Sequence, residues 1–326
     1  MVLRSYLSVG AVSRSQNSKT SFIQESKHVV NNMLKSFMRR LEVMFMYGQS
    51  DTGLGQIESV STSSIVIEKE EWAAGIWGGA ENMKVQIYNA AGSTLRGEFE
   101  IVQVNFDTKT IQLDADAAAA GVVATDIVFY AGAKGKECVG LHKILANDSS
   151  TLFNIDASKY SLWRASKIDV GTNFSGGEAV LSFDKVEEGV ARMMEKGLVD
   201  GKITVLCNPK SWKNLLTEQA AKRMYDSSYS SDKVKQGAKN IEFYGQTGLI
   251  EISSSIFCKE GYAYMLSEDS FERIGSSDVR LDMPGFEGKF IKVLENVNAY
   301  ELRSYSDQAL FCSSPGHNSL LRYIKS

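Results

Sequence analysis

The sequence predicts an α+β protein in which a β-rich insertion interrupts a chain of helices and strands. The spacing of hydrophobic residues changes twice along the chain, and these two changes predict the inserted β-rich segment. Apolar residues recur at three- and four-residue steps over residues 21–47 and again over residues 183–197, which is typical of helices that bury one side. Between these helices, residues 55–138 consist of short runs of β-forming residues separated by turn residues, a pattern typical of a small barrel or sandwich.

The composition is that of an ordinary globular protein. Of the 326 residues, 43% are hydrophobic and 23% are charged, which excludes a disordered or fibrous chain. The length favours two domains, or one domain with a large insertion. No apolar run approaches the roughly 20 residues of a membrane span, so we expect no membrane partner. The N-terminal residues also lack the pattern of a secretory signal.

The charges are unevenly distributed along the chain. Residues 1–50 carry a net charge of +5, residues 51–140 carry −7 and the remainder carries −1, which gives −3 in total. A weakly charged whole argues against a dedicated nucleic-acid-binding protein. The basic start of the chain is still compatible with contact to a polyanion.

The first 47 residues predict an arm followed by a helix. Residues 1–19 are polar, rich in serine and without hydrophobic period, so an extended arm is expected. Ser21 and Gln24 fit a capping box at the start of the helix, and Gly48 suits its end. His28 lies beside the apolar stripe and is expected to pack there. The stripe consists of Val30, Met33, Phe37, Leu41 and Met44.

Five strands are predicted in the β-rich segment. They cover residues 64–69, 84–89, 97–107, 109–114 and 126–132. Glu70 and Glu71 come directly after the first of them, next to Trp72. Since consecutive strand residues point to opposite faces, the two carboxylates are not expected to share a site, and we interpret them as a solvated acidic edge. We also expect this segment to tolerate deletion better than residues 182–316.

A second helix is predicted from Ser182, which is expected to cap it, to Gly197. Val186, Val190, Met193 and Met194 form its apolar face, and Glu188 can pair with Arg192 four residues later. After it, residues 202–208 predict a buried strand, and Asn208 with Pro209 predicts the start of a further helix. Residues 225–240 are polar and predict a loop. Four strand-like runs and a C-terminal strand follow.

Sequence motifs for catalysis and ligand binding are missing. Residues 132–137 (GAKGKE) superficially resemble a phosphate-binding loop, but a Walker loop needs a glycine where Tyr130 stands and Ser or Thr where Glu137 stands, so a turn is predicted. The three histidines are far apart, and a serine or cysteine nucleophile needs a base within reach. The four cysteines are expected to be free thiols. We therefore expect no enzyme activity, no cofactor and no metal site.

Several segments together resemble the major capsid proteins of tailed bacteriophages with the Hong Kong 97-type fold. The resemblance lies in the order and spacing of the segments, which cover roughly residues 140–316, and none of them is a catalytic signature. The segments are GLHKIL and YSLWRASKID (within residues 140–169), VLCNPKSWKNLL (205–216), FYGQTGLIEISSS (243–255), KEGYAYMLSEDSFERIG (259–275) and ELRSYSDQALFCSSPG (301–316).

The resemblance implies an α+β Hong Kong 97-type capsid fold with an N-terminal arm, an extended loop, a peripheral domain, an axial domain and an inserted barrel-like domain. The long spine helix of the peripheral domain would be residues 182–196, and the strand near 301–311 would return to it. The implied divisions are 1–50 for the arm and first helix, 51–140 for the barrel, 141–197 for the extended loop and spine helix, 198–295 for the axial domain, and 296–326 for the return strand and C-terminus.

The resemblance also implies function and partners. Copies of the chain would form the pentamers and hexamers of an icosahedral shell around double-stranded DNA, bound non-specifically, with portal, scaffolding and decoration proteins as further partners. The arm, residues 1–20, is expected to lie across a neighbouring subunit, with Arg4, Arg14 and Lys19 toward the interior or an acidic neighbour. The structural candidates on the spine helix are Val186, Val190 and Met194. The virion is the expected location, after assembly in the host cytoplasm.

Two alternatives stay open. An encapsulin-like bacterial compartment shell shares the implied fold and would enclose an enzyme instead of DNA. An uncharacterised enzyme is the second alternative, and it would need a pocket with converging polar groups. The contents of an assembled particle separate the first alternative from a phage capsid, and the presence of any regular particle argues against the second.

Overall fold

The computed structural model describes residues 2–8, 19–224, 241–245, 248–281, 291–293 and 299–325. The predicted polar loop at 225–240 lies outside these residues. The chain divides into two compact units. Unit 1 comprises Met1–Phe45 and Arg273–Leu310, and unit 2 comprises Met46–Glu272 and Phe311–Ser326.

The described residues form five α-helices and eighteen strands. The helices are α1 (Lys19–Tyr47), α2 (Ala74–Trp77), α3 (Leu141–Ala146), α4 (Phe183–Glu195) and α5 (Pro209–Met224). The strands are β1 (Val2–Ser8), β2 (Gly55–Ser61), β3 (Ser64–Ile67), β4 (Lys84–Tyr88), β5 (Leu95–Asn105), β6 (Thr110–Leu113), β7 (Ile127–Tyr130), β8 (Thr151–Leu152), β9 (Ile155–Asp156), β10 (Ser166–Asp169), β11 (Ile203–Cys207), β12 (Ile241–Gly245), β13 (Gly248–Ser254), β14 (Tyr262–Ser267), β15 (Phe271–Arg280), β16 (Ile291–Val293), β17 (Ala299–Cys312) and β18 (Ser319–Arg322).

Unit 1 contains the N-terminal strand, most of α1 and the long C-terminal strands. Strand β1 pairs antiparallel with β17, from Val2 opposite Tyr305 to Ser8 opposite Ala299. The stretch Val2–Ser8 is extended, as expected, and pairs with its own chain. The expectation that residues 1–20 lie across a neighbouring subunit stays a prediction. Helix α1 begins at Lys19, so Ser21 lies inside the helix and does not cap it. Within the predicted stripe, Met33, Phe37, Leu41 and Met44 are buried.

The β-rich segment is a closed barrel, with strand order β2-β3-β6-β5-β4-β7. Alternate residues of these strands point inward, as the period of two requires, and Ile57, Ile65, Val85, Ile101 and Ile111 are fully or almost fully buried. Closure leaves no free sheet edge in this part of the chain. The prediction of a small barrel is confirmed. Strand β2 was not among the predicted strands.

The rest of unit 2 is built on a six-stranded mixed sheet, the body sheet, with strand order β10-β18-β14-β11-β13-β12. The predicted buried strand, β11, lies between β14 and β13. Helix α4 packs on this sheet. Val186, Val190 and Met193 of α4 share one hydrophobic core with Ile203 and Met265 of the sheet. Gly189 permits a close approach, because a Cβ there would lie 2.3 Å from the Met265 sulfur.

Helix α4 shares its core with β11, β13 and β14 in unit 2, whereas most of β17 belongs to unit 1. The expectation that residues 182–196 and the return strand near 301–311 form one domain stays a prediction. With 13 residues, α4 is also much shorter than α1, which has 29 residues. The division of the chain into five predicted segments stays a prediction.

The predicted N-cap of α4 is present, whereas the ion pairs on its surface differ from the prediction. Lys185 N donates to the Ser182 side-chain oxygen at 3.4 Å, so Ser182 caps the helix. The expected pair of Glu188 with Arg192 is wrong. Glu188 pairs with Lys185 at 2.7 Å, and Arg192 pairs with Glu195 at 3.0 Å. Both pairs have a spacing of three residues, which equally brings side chains together on a helix surface.

We predict that Val190→Asp destroys the folded chain, because Val190 is 4% exposed and lies in the core shared by α4 and the sheet. An unpaired carboxylate there costs several kcal/mol, on the order of 3–7. Glu195→Gln is the control. Its side chain is 62% exposed, and losing its pair with Arg192 costs about 0–1 kcal/mol. Soluble yield and urea unfolding measure both variants. An equal loss of unfolding free energy in the two variants would show that Val190 does not face the core.

Candidate functional site

Residues 68–77 are part of the connection from β3 to β4. They leave the barrel and dock on the part of unit 2 that is built on the body sheet, which we call the body. We call this segment the foot. It consists of Glu68, a 3-10 turn over Lys69–Glu71 and the short helix α2. Its docking partner is the 255–261 loop, which links β13 to β14. Three backbone hydrogen bonds join them: Gly75 N to Ile256 O (2.7 Å), Glu260 N to Trp72 O (2.9 Å) and Gly261 N to Glu70 O (2.9 Å).

The contact between foot and loop is close enough to require glycine on both sides. A Cβ at Gly75 would lie 2.8 Å from the backbone oxygen of Ile256. A Cβ at Gly261 would lie 2.5 Å from the Cβ of Glu70. Real side chains do not approach backbone this closely, so the two backbones meet only because both positions lack a side chain.

A buried lysine lies at the centre of this contact. Lys259 of the 255–261 loop is 0% exposed, and its ammonium forms an ion pair with Glu71 of the foot, which is 2% exposed. The ammonium also donates to Thr52 Oγ1 at 3.2 Å and to Gly53 O at 3.1 Å. All three N–H donors of the ammonium therefore have acceptors. The ammonium also lies 4.6 Å from the centroid of the Tyr47 ring, within range of a cation–π interaction.

The carboxylate of Glu71 is held in its charged form. The Tyr262 hydroxyl donates to its Oε1 at 3.0 Å, while Lys259 contacts Oε2. Burial, the largest single cause, would raise the pKa of Glu71, but the charge of Lys259 and the hydrogen bonds from Lys259 and Thr52 contribute to a net shift below its ordinary value. Burial lowers the pKa of Lys259, and Glu71 opposes this shift. The pair is therefore a salt bridge between two ionised groups.

Aromatic and imidazole side chains enclose the salt bridge. Tyr47 OH donates to Phe257 O at 2.7 Å and accepts from Lys259 N at 2.9 Å. The His142 ring packs edge-on against Tyr262, and its Nδ1 lies 3.0 Å from the Tyr264 hydroxyl. Burial, followed by repulsion from Lys259, lowers the pKa of His142 to about 4. His142 is therefore neutral near pH 7 and adds no second positive charge beside Lys259.

The next residue of the loop, Glu260, makes a second connection. It is 4% exposed and accepts from Lys109, at the turn between β5 and β6 of the barrel, at 2.7 Å. It also accepts from Lys210, at the start of α5, at 2.8 Å. Lys259 and Glu260 together form what we call the junction, which ties the barrel to the body through opposite charges on consecutive residues.

The junction binds two parts of one chain together. Every donor of the Lys259 ammonium is occupied, and the Tyr262 hydroxyl is committed to Glu71. Within the described residues, no three His, Cys, Asp or Glu side chains are grouped to hold a metal ion. No helix in the part of the chain that the structure describes is long and apolar enough to cross a bilayer.

The residues predicted as candidates lie in separate places. Arg4 is exposed and lies 3.6 Å from the buried carboxylate of Glu301 in its own chain. Arg14 lies outside the described residues, and Lys19 is the first residue of α1. Val186 and Val190 are buried, and Met194 is partly buried against the same core. Their proposed role in contacts between subunits stays a prediction.

The junction residues were missed or misinterpreted in the sequence. The interpretation of Glu70 and Glu71 as a solvated strand edge is wrong for Glu71, because the two residues lie in a 3-10 turn that buries it. The apolar run that follows, from Trp72 to Trp77, was a signal for this burial. His28 is also not a packing residue. It is exposed, and its Nε2 lies 3.0 Å from Asn32 Nδ2.

Two local predictions are confirmed. Residues 131–136, including GAKGK, form turns. Gly132 and Gly135 both adopt φ of +71°, in the left-handed region that favours glycine. All four cysteines are free thiols, and Cys207, Cys258 and Cys312 are buried.

Comparisons with known proteins give similarities among solved structures alone. No protein-family model matches the sequence, and no curated protein matches it significantly. The chain is similar to a chain of the cyanophage A-1(L) capsid asymmetric unit, with 13% identity and a TM-score of 0.43, covering 60% of this chain and 62% of that one. It is similar to a chain of the virus-like particle from Pyrococcus furiosus, with 13% identity and a TM-score of 0.28, covering 48% and 54%.

A third similarity is to a chain of the satellite phage P4 procapsid that includes the size determination protein Sid. The identity is 8% and the TM-score 0.38, covering 100% of this chain and 70% of that one. The chain thus spans about three fifths of the cyanophage chain and about half of the Pyrococcus chain.

We predict that Lys259→Met destabilises the chain by about 3–5 kcal/mol, because it leaves the Glu71 carboxylate buried without a cation. The double variant Lys259→Met with Glu71→Leu removes both charges and should recover much of this loss. Urea unfolding at pH 7 measures both variants.

Lys210→Met is the matched control. It removes another lysine that pairs with the same loop, but its side chain is 54% exposed and Glu260 keeps Lys109 as partner. We expect a loss below about 1 kcal/mol. If the double variant is no more stable than Lys259→Met alone, the unpaired charge is not the cause of the loss.

Proposed function

We propose that the chain is a major capsid protein, whose copies form pentamers and hexamers of an icosahedral shell around the double-stranded DNA of a tailed phage. The observation that carries the proposal is the exposed surface of unit 1. This unit holds long strands and a long helix, yet it leaves apolar side chains and a whole strand in solvent. Such surface is stable when other copies of the chain cover it.

Strand β15 is the clearest case. It has ten residues, and none of them is buried by its own chain. Its neighbour β17 lies on one side in the sheet order, and among the described strands β15 is the edge strand at that end. An edge strand presents unpaired backbone groups, which a strand of another copy can pair with.

Exposed apolar side chains of unit 1 extend this surface. Val2 is 51% exposed, Tyr6 59%, Met38 58% and Ile274 45%. Val2 and Tyr6 alternate along β1 with Arg4 between them, so one side of the strand is apolar with a basic centre. A surface of this composition fits contacts between protein subunits better than it fits a small ligand.

The remaining parts of the proposal follow from the resemblance described above. We propose portal, scaffolding and decoration proteins as further partners, the virion as location and the host cytoplasm as the place of assembly. The net charge of −3 suits a container for DNA, since a strongly basic lining would bind the polymer tightly. We also propose that residues 182–196 are the spine helix of the peripheral domain and that residues 198–295 form the axial domain.

Assembly of the purified full-length chain tests the proposal. We expect closed particles by sedimentation velocity and electron microscopy. Ile274→Glu should reduce particle yield at least tenfold while the circular dichroism of the subunit stays unchanged, since it places a charge at a surface that other copies cover. Leu95→Glu on the barrel is the matched control, because Leu95 is 46% exposed and Ile274 is 45% exposed.

The particle contents decide between the two kinds of shell. Nuclease-protected double-stranded DNA in particles from infected or phage-induced cells supports the phage capsid. A single enzyme species inside, without DNA, would replace it with a compartment shell. Absence of any regular particle, or equal loss of particles with Ile274→Glu and Leu95→Glu, would contradict the proposal that unit 1 is the contact surface.

A further inference from the structure

The body sheet has one face that helices cover and one face that is partly open. Helices α4 and α5 pack on the first face, where their apolar residues share a core with Ile203, Ile250 and Met265 of the strands. Because side chains alternate along a strand, the residues between these core positions point to the second face. On β11, β12 and β13 they include Thr204, Leu206, Glu242, Tyr244, Leu249 and Glu251.

Helix α3 covers this second face at β14 and leaves it open toward β12. His142 of α3 lies 3.0 Å from the Tyr264 hydroxyl, and Tyr264 on β14 is 0% exposed. On β12, an edge strand among the described strands, Tyr244 is 86% exposed and Glu242 is also exposed. Leu249 of β13, directly opposite Tyr244, is partly exposed. We call the part of the second face formed by β12 and β13 the open face.

The open face is acidic around its apolar residues. Glu242 lies directly opposite Glu251 in the register of β12 and β13. Lys202 contacts Glu251 at 2.8 Å and Glu268 at 2.9 Å, so a third carboxylate is next to this pair. Three carboxylates and one ammonium give the open face a net charge of −2. Water solvates such charges in a single copy, so they do not require a partner, but they favour a partner that is cationic.

Helix α1 has an exposed stripe of complementary composition. Lys27, Asn31, Lys35 and Met38 are exposed and follow one another at steps of four, four and three residues, which places them on one side of the helix. We call these four residues the basic stripe. Glu42, which is four residues further along and also exposed, is the one carboxylate that continues it. The basic stripe therefore combines two ammonium groups with an exposed thioether side chain.

The spacing of groups on the two surfaces is compatible. Lys35 and Met38 are about 4–5 Å apart along a helix axis, and Glu242 and Tyr244 are about 7 Å apart along a strand. The long lysine and methionine side chains can bridge this difference. A helix that lies on the open face can thus place Met38 against the Tyr244 ring while Lys35 reaches the Glu242 carboxylate.

We propose that the basic stripe of α1 docks on the open face of a second copy of the chain. The docked helix would cover β12 and β13, so that helices lie on both faces of this part of the sheet, which is a stable arrangement of layers. Both surfaces are exposed in one copy, and their opposite charges and apolar centres fit each other. The inference names one contact of the shell subunit proposed above and rests on that proposal.

Charge reversal in the full-length chain tests this contact. Lys35→Glu and Glu242→Lys should each reduce the particle yield at least about tenfold, because each places like charges across the contact. The double variant restores a pair of opposite charges with their positions exchanged. Its yield should return to within about threefold of the parent chain. Sedimentation velocity at low salt measures the yield, and circular dichroism shows that each variant is folded.

Lys136→Glu and Glu81→Lys on the barrel are the matched controls. Both residues are exposed, and the two changes alter the net charge as Lys35→Glu and Glu242→Lys do. Singly or together, they should change the yield less than about twofold. Parent-like yields of Lys35→Glu and Glu242→Lys, or no recovery in their double variant, would overturn the inference. Particles of the parent chain would still support the proposed function in that case.

A photo-crosslink identifies what lies on the open face without any charge variant. The photoreactive amino acid benzoylphenylalanine replaces Tyr244, and this chain is mixed with parent chain labelled with nitrogen-15 before assembly. We expect mass spectrometry to find peptides covering residues 241–245 of the unlabelled chain joined to peptides covering residues 27–42 of the labelled chain. Crosslinks to another segment, or within the unlabelled chain alone, would refute the contact.

The crosslink also separates this inference from the proposed function. If the parent chain forms no particles, the same measurement on the soluble chain still shows whether α1 of one copy contacts β12 of another. A crosslink between copies without particles would contradict the shell and keep the contact. Particles without this crosslink would keep the shell and contradict the contact.

Discussion

The buried salt bridge between Lys259 and Glu71 is the interaction on which the arrangement of unit 2 depends. An ammonium that is fully removed from water costs several kcal/mol unless it is paired and hydrogen-bonded. Its carboxylate comes from the foot, nearly 190 positions earlier in the chain. The body loop is therefore stable in this form only with the foot in place. Removal of residues 55–138 would take Glu71 away and leave the Lys259 ammonium without its anion. The expectation that this segment tolerates deletion better than residues 182–316 stays a prediction.

Contacts of the same loop also join the barrel to the rest of unit 2, in addition to the chain connections at its two ends. Lys259 points into the contact, whereas Glu260 reaches Lys109 of the barrel and Lys210 of α5. Backbone hydrogen bonds to Gly75 and Gly261 fix the distance at which these charges meet. Since charge pairs in a low-dielectric site depend strongly on distance, the glycines and the salt bridge act as one unit.

Local patterns in the sequence predicted local structure well and long-range charge pairs poorly. The stripe around Phe37, the cap at Ser182 and the Asn208–Pro209 helix start all depend on neighbours in sequence, and each element is present. The partner of Glu71 depends on a contact across the fold, which no local period encodes. The sheet that covers α4 has the same cause, because the apolar face of α4 indicates that something covers it but not which sheet.

Buried charges are paired within the chain, whereas apolar side chains of both units are exposed. Lys259 and Glu260 of unit 2 have their partners in the same copy, and Tyr244 of the same unit is 86% exposed. In unit 1, β15 and residues such as Tyr6 and Ile274 remain in solvent, and burial of this surface would add to stability only through another molecule. A chain that pairs its buried charges internally and leaves strand backbone and apolar side chains exposed gains stability when another protein chain covers them. This argument from burial favours contacts between protein chains, as the proposed shell requires, and it uses no catalytic motif.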